Sequence, residues 1–86
     1  ARAVRAAYAT ALAADETVKV VSADVELARE LEAGVGKLVE GGREPPLRAV
    51  TANIERQTAQ AALATAIADA AASQANLAAL IGRQDT

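Results

Sequence analysis

From Arg2 to about Glu40 the apolar positions advance by alternating steps of three and four. Val4, Ala7, Ala11, Ala14, Val18, Val21, Val25 and Ala28 form one row, which falters at Glu32 and resumes with Val35 and Val39. That spacing belongs to a long amphipathic helix, not to a strand, whose period would be two. A second row, Leu27, Leu31, Gly34 and Leu38, lies on a different face. After a short break the pattern returns. Leu47, Val50, Ile54, Gln57, Ala61, Ala64, Ala68, Ala71, Ala75 and Ala78 form a first row, and Leu63, Ile67, Ala70, Gln74, Leu77 and Ile81 a second.

The break is the segment Glu40-Gly41-Gly42-Arg43-Glu44-Pro45-Pro46-Leu47-Arg48-Ala49. Gly41 or Gly42 can take the left-handed conformation that closes a helix, and Pro45 or Pro46 can open the next one, where its missing N–H costs nothing. Arg43 and Glu44 would project from the turn. The spacing therefore predicts an all-α chain forming a single long antiparallel hairpin. Its helices cover about 2–40 and about 46–82, its tip about 41–46, and Gly82 ends the second helix. At ~1.5 Å rise per residue each arm spans roughly 50–60 Å. The tail Arg83-Gln84-Asp85-Thr86 carries no signal and is expected to fray.

Two apolar rows per helix imply two packing partners per helix. A small-residue row would let the two arms approach within the hairpin while the row of larger residues meets neighbouring helices, or the reverse; periodicity identifies faces, not their partners. Gly34 and Gly36, inside the first helix, cost about 1 kcal/mol each relative to Ala. They mark either a close approach of another helix or a weak stretch that ends the regular helix early.

Composition sharpens this picture. Hydrophobic residues make up 52% of the 86 positions, but most are alanine, and Tyr8 is the sole aromatic. Alanine buries little area, so at about 25 cal/mol per Å² the drive to bury it is weak, whereas its helix propensity is the highest available. Long helices packed side by side suit such a chain. With no Cys and no His it offers no disulfide, no thiolate and no usual zinc or haem ligand set. A net charge of -2, with scattered Lys and Arg, argues against a nucleic-acid footprint. No apolar run reaches the ~18 residues of a membrane span. The opening Ala1-Arg2-Ala3-Val4-Arg5 has neither an initiating Met nor a signal-peptide core and reads as an excised or mature internal fragment.

Residues able to carry chemistry are Tyr8, Asp15, Glu16, Ser22, Glu26, Glu30, Glu32, Asp69 and Ser73. Glu26 and Glu30 stand one helical turn apart, a spacing that can hold a metal ion but more commonly marks a solvated face, with Arg29 forming a helix ion pair. Asp15-Glu16-Thr17 reads as a wet interruption of the alanine run. Tyr8 reads as a packing anchor whose hydroxyl reaches water. The Gly41-Gly42 pair follows a helix and lacks the strand, the third Gly and the Lys-Ser/Thr of a phosphate loop. No catalytic, metal or cofactor site is expected, and the chain is not read as an enzyme.

The segment Leu38-Val39-Glu40-Gly41-Gly42-Arg43-Glu44-Pro45-Pro46-Leu47-Arg48-Ala49 resembles the hairpin tip of TolC-like outer membrane efflux proteins, in particular their heavy-metal efflux branch. Val25-Glu26-Leu27-Ala28-Arg29-Glu30-Leu31 is similar to that family's first coiled helix. Ala61 to Ala66 and Ala75-Asn76-Leu77-Ala78-Ala79-Leu80-Ile81-Gly82 are similar to its return helix. The resemblance implies one hairpin of a trimeric channel in the Gram-negative outer membrane, whose periplasmic helical tunnel meets a periplasmic adaptor protein. By position it makes Gly41, Gly42, Arg43, Glu44, Pro45, Pro46 and Leu47 the adaptor-contact tip, with Pro45, Pro46 and Leu47 opening the return helix. Many relatives carry Asp-Val-Leu just after the tip, where this chain has Pro-Pro-Leu-Arg. Two other readings stand beside it. One is an adaptor-protein hairpin, whose usual Arg-Leu-Ser-type contact motif is absent from Gly41 to Leu47. The other is a free-standing coiled-coil module that dimerises into a four-helix bundle.

Overall fold

The computed structural model describes residues 2–84, with the side chain of Gln84 outside the description. It holds two α-helices, α1 (Arg2–Glu40) and α2 (Pro46–Gln84), each of 39 residues. They fold back on each other as one antiparallel hairpin, a rod 67 Å long and 13 × 12 Å across. Among the described residues no helix is long and apolar enough to cross a membrane.

The hairpin seam takes one row from each helix. On α1 it is the first predicted row without exception: Ala7, Ala11 and Val25 are buried, and Val4, Ala14, Val18, Val21, Ala28, Val35 and Val39 are half-buried. Glu32 keeps its place in the row and is half-buried too. On α2 neither predicted row is the seam. Ala49, Ala52, Arg56, Ala59, Leu63, Ala66, Ala70, Ser73, Leu77 and Leu80 face α1, again in steps of three and four. The predicted first row of α2, from Leu47 to Ala78, lies in solvent throughout. The predicted second row is split, with Leu63, Ala70 and Leu77 inside and Ile67, Gln74 and Ile81 outside.

A polar layer explains which face of α2 turns inward. Glu32 on α1 accepts a hydrogen bond from Arg56 Nε at 2.7 Å and another from Asn53 Nδ2 at 2.8 Å. Arg56 also donates through Nη1 to Gln60 Oε1 at 2.7 Å, and Gln57 donates to Asn53 Oδ1 at 2.7 Å. The interruption at Glu32 in the α1 row is therefore answered from the other helix, by a residue equidistant from Glu44 across the turn. Nearer the open end, Gln74 Nε2 donates to Asp15 Oδ2 at 3.2 Å.

The apolar part of the seam is thin. Its buried members are alanines apart from Val25, and no large side chain is fully enclosed. Small side chains let the helix backbones come close, so the helices gain dispersion contact along the length of the rod in place of a thick core. Helix propensity supplies the rest: α2 is alanine-rich from Ala59 to Ala79.

Helix α1 passes through Gly34 and Gly36 without a break, and no atom comes within 4 Å of where a Cβ would stand at either. Within the hairpin neither glycine is a point of close approach. Helix α2 likewise continues past its expected end, through Gly82 to Gln84. A glycine ends a helix when it turns left-handed, and among the glycines only Gly42 has a positive φ. Of the tail expected to fray, Arg83 and Gln84 are helical, and Asp85 and Thr86 lie outside the described residues.

Candidate functional site: the tip and the exposed helix faces

The tip is built by two complementary devices. At the end of α1, Gly42 adopts φ 73°. Its N–H donates to the Val39 carbonyl at 3.0 Å, while the Arg43 N–H reaches the Leu38 carbonyl at 2.9 Å and the Gly41 N–H the Lys37 carbonyl at 3.0 Å. This is the Schellman pattern, which satisfies the last carbonyls of a helix through one left-handed residue. At the start of α2, Pro46 holds the first helical position and the Pro45 carbonyl accepts from the Arg48 N–H at 3.0 Å. Proline fits there because a first-turn N–H has no partner inside the helix.

Consequently the seven tip residues expected to form a contact surface are all gathered at one end of the rod. Gly41, Gly42, Arg43, Pro45, Pro46 and Leu47 are exposed, Leu47 to 70%. Glu44 does not project as expected: it is half-buried and turned toward α2, its carboxylate 3.5 Å from Arg48 Nε. The tip thus shows a flat glycine-proline surface with one free-standing cation, Arg43, and one large apolar side chain, Leu47. Leu38, the adjoining residue of α1, adds a second apolar edge and is 39% exposed.

Along the rod the expected chemical residues are dispersed. Glu16 pairs with Lys19 at 3.3 Å and Glu26 with Arg29 at 3.6 Å, both in solvent. Glu30 and Ser22 are exposed, and Ser73 is half-buried beside Asp69 in a shallow groove opposite Thr10 and Thr17. Tyr8 stands near the open end, 59% exposed, so it is not enclosed between the two helices. Among the described residues no three acidic side chains come together as a metal site, and no buried side-chain nitrogen or oxygen lacks a hydrogen-bond partner. What this arrangement offers is surface for packing.

That surface differs between the two helices. The outward positions of α1 carry Arg5, Glu16, Lys19, Glu26, Glu30 and Lys37, all exposed. Its apolar row Leu27, Leu31 and Leu38 is exposed in the half nearer the tip, which settles the choice left open by spacing, and Leu12 and Val20 are exposed toward the open end. The outward row of α2 runs from Leu47 to Ala78 with Gln57 as its one polar member. Of the charges of α2, Arg56 alone is half-buried in the seam, while Arg48 and Glu55 beside the groove with Leu31 and Val35, and Asp69 beside the groove with Thr10, flank the seam and are exposed.

Sequence reasoning named Glu32 but missed Asn53, Arg56 and Gln60. The signal was present. An acidic residue inside an otherwise apolar row requires a partner, and folding the chain at Glu44 brings Arg56 level with it.

Comparison of the chain with protein-family models, with curated proteins and with solved structures finds no match.

Proposed function

We propose that this chain is a wall hairpin of a TolC-like outer-membrane efflux channel, packed beside other hairpins in a periplasmic helical tunnel and docking an adaptor protein at its tip. The observation that carries the reading is the surplus of apolar surface. The hairpin uses one row of each helix for itself and leaves Leu27, Leu31 and Leu38 on α1 and Leu47, Val50 and Ile54 on α2 in solvent. Rods with unpartnered apolar rows suit a wall of helices, where each row finds a neighbour. The exposed surface of Gly41, Gly42, Arg43, Pro45, Pro46 and Leu47 then supports adaptor docking by close backbone approach and a cationic hydrogen bond from Arg43. Transport through such a tunnel is passive on this chain's part, with no covalent step.

The test is made on the intact protein that contains this hairpin, in its source cells. It is expected to fractionate with the outer membrane at several times the 8.7 kDa of this chain. Arg43→Glu and Leu47→Glu are expected to weaken adaptor capture while leaving the channel trimer intact. A soluble protein of 8.7 kDa, or undiminished capture by both variants, overturns the reading. Arg43 and Leu47 are better probes than Gly42, whose replacement disturbs the turn itself.

A second reading, a self-associating coiled-coil module, is favoured by one observation. The outward face of α2 carries no charge over its whole length, in contrast to the outward face of α1.

A further inference from the structure

We infer that the outward face of α2 docks the same face of a second copy of this chain, the two α2 helices running antiparallel about a two-fold axis between Ala61 and Ala64. The inference rests on the self-associating reading and names its partner and geometry.

Three observations carry it. The row advances by alternating threes and fours from Leu47 to Ala78, so it reads the same in both directions and keeps its register when inverted. Side-chain size along it is polarised. The tip half holds Leu47, Val50, Ile54 and Gln57, and the other half holds alanine at every position from Ala61 to Ala78. Inversion about the Ala61–Ala64 midpoint therefore sets Leu47 against Ala78, Val50 against Ala75 and Ile54 against Ala71. Every large side chain meets a small one, which gives an even helix separation along ~47 Å of seam. Parallel pairing would set large against large at one end and leave a gap between alanines at the other.

The third observation is charge. The residues bordering the row are Thr51, Thr58 and Thr65 on one side and Asn53, Gln60 and Gln74 on the other, all uncharged. Burying this face strands no ion, and its threonines and amides suit the rim of an interface. The charged outward face of α1 offers no equivalent. The resulting assembly is a four-helix arrangement with α2 helices at its centre, α1 helices outside, and the tips at opposite ends. Such a contact is isologous and closes at two copies.

The test uses the 86-residue chain, which has no cysteine of its own. Sedimentation equilibrium is expected to give a dimer of twice 8.7 kDa. Val50→Cys and Ala75→Cys chains, oxidised after mixing, are expected to form the mixed disulfide, with neither variant cross-linking to itself. Ala64→Glu brings two glutamates together near the axis and is expected to raise the dissociation constant about a hundredfold. Ala23→Glu, on the charged outward side of α1, is expected to leave it unchanged. Helical circular dichroism retained in each variant confirms folding. A monomeric chain overturns both the pairing and the self-associating reading. A dimer that cross-links through Val50→Cys alone, or that ignores Ala64→Glu, overturns the antiparallel pairing and leaves self-association standing.

Discussion

Arg56 Nε lies 2.7 Å from Glu32 Oε1, joining the one acidic and the one basic residue of the two seam rows, whose other members are alanine, valine and leucine apart from Ser73. Their side chains keep 22% and 29% of their exposure, so both are partly desolvated and neither is free to be replaced alone. Arg56→Leu is expected to leave Glu32 with Asn53 as its remaining donor and to cost about 1–3 kcal/mol, and Glu32→Leu about as much. The double substitution is expected to recover most of that loss, because two leucines in facing rows pack where the ions stood. Urea unfolding of the four chains measures this cycle, and additive losses would show that the two residues do not act as a pair.

Gly42 supports a different prediction, because its φ of 73° is the one positive value among the glycines. Gly42→Ala is expected to destabilise the hairpin by about 1 kcal/mol and Gly42→Val by more, since a branched side chain is strained further in that region. Gly42→Asn is expected to fall between glycine and alanine in cost. The order of unfolding midpoints checks it.

At Gly34 and Gly36 the sign reverses. Both lie inside a continuous helix with open space around the missing Cβ. Gly34→Ala and Gly36→Ala are each expected to stabilise the isolated chain by about 0.5–1 kcal/mol, through reduced freedom of the unfolded chain. A loss at Gly34 in the assembled protein, alongside a gain in the isolated hairpin, would reveal a neighbouring helix seated against it.

Val25 and Val20 make a matched pair on one helix. Val25 is 2% exposed and Val20 62%. Val25→Ala is expected to cost about 1–2 kcal/mol by opening a space in a thin seam, and Val20→Ala to change stability by less than about 0.5 kcal/mol. Equal effects would contradict the orientation of α1.

Legibility in the sequence followed side-chain contrast. On α1 valines mark one row and most of the Arg, Lys and Glu residues lie off it, so the row itself was legible in the spacing, although spacing left open whether it faces the other arm or a neighbouring helix. On α2 alanine occupies several faces at once, and rows of equal spacing compete without one being more apolar than another. The mostly alanine row from Leu47 to Ala78 suits close approach of the two arms by its small side chains, yet it is the outer face. The decision fell to ions: with Glu32 fixed in the α1 seam, the rotation of α2 that brings Arg56 level with it also keeps Arg48, Glu55 and Asp69 off the outward row, exposed along the flank of the seam. The tip was legible because glycine and proline act through backbone geometry, which neighbouring helices do not alter. Glu44 was misread because its pairing with Arg48 depends on the first turn of α2 being in place.

The five-residue turn also sets an order of events. Residues facing each other just behind Gly42 are close in sequence, whereas Ala7 and its neighbours on α2 are separated by most of the chain. Loop-closure entropy rises with that separation, so the seam is cheapest to nucleate at the tip and to extend toward the open end. Growth would halt or proceed at the Glu32–Arg56 layer, the first point where a wrong register is penalised by an unpaired ion. Amide exchange should then slow progressively from the ends near Tyr8 and Ile81 toward the turn, as a clasped strip opens from its loose end.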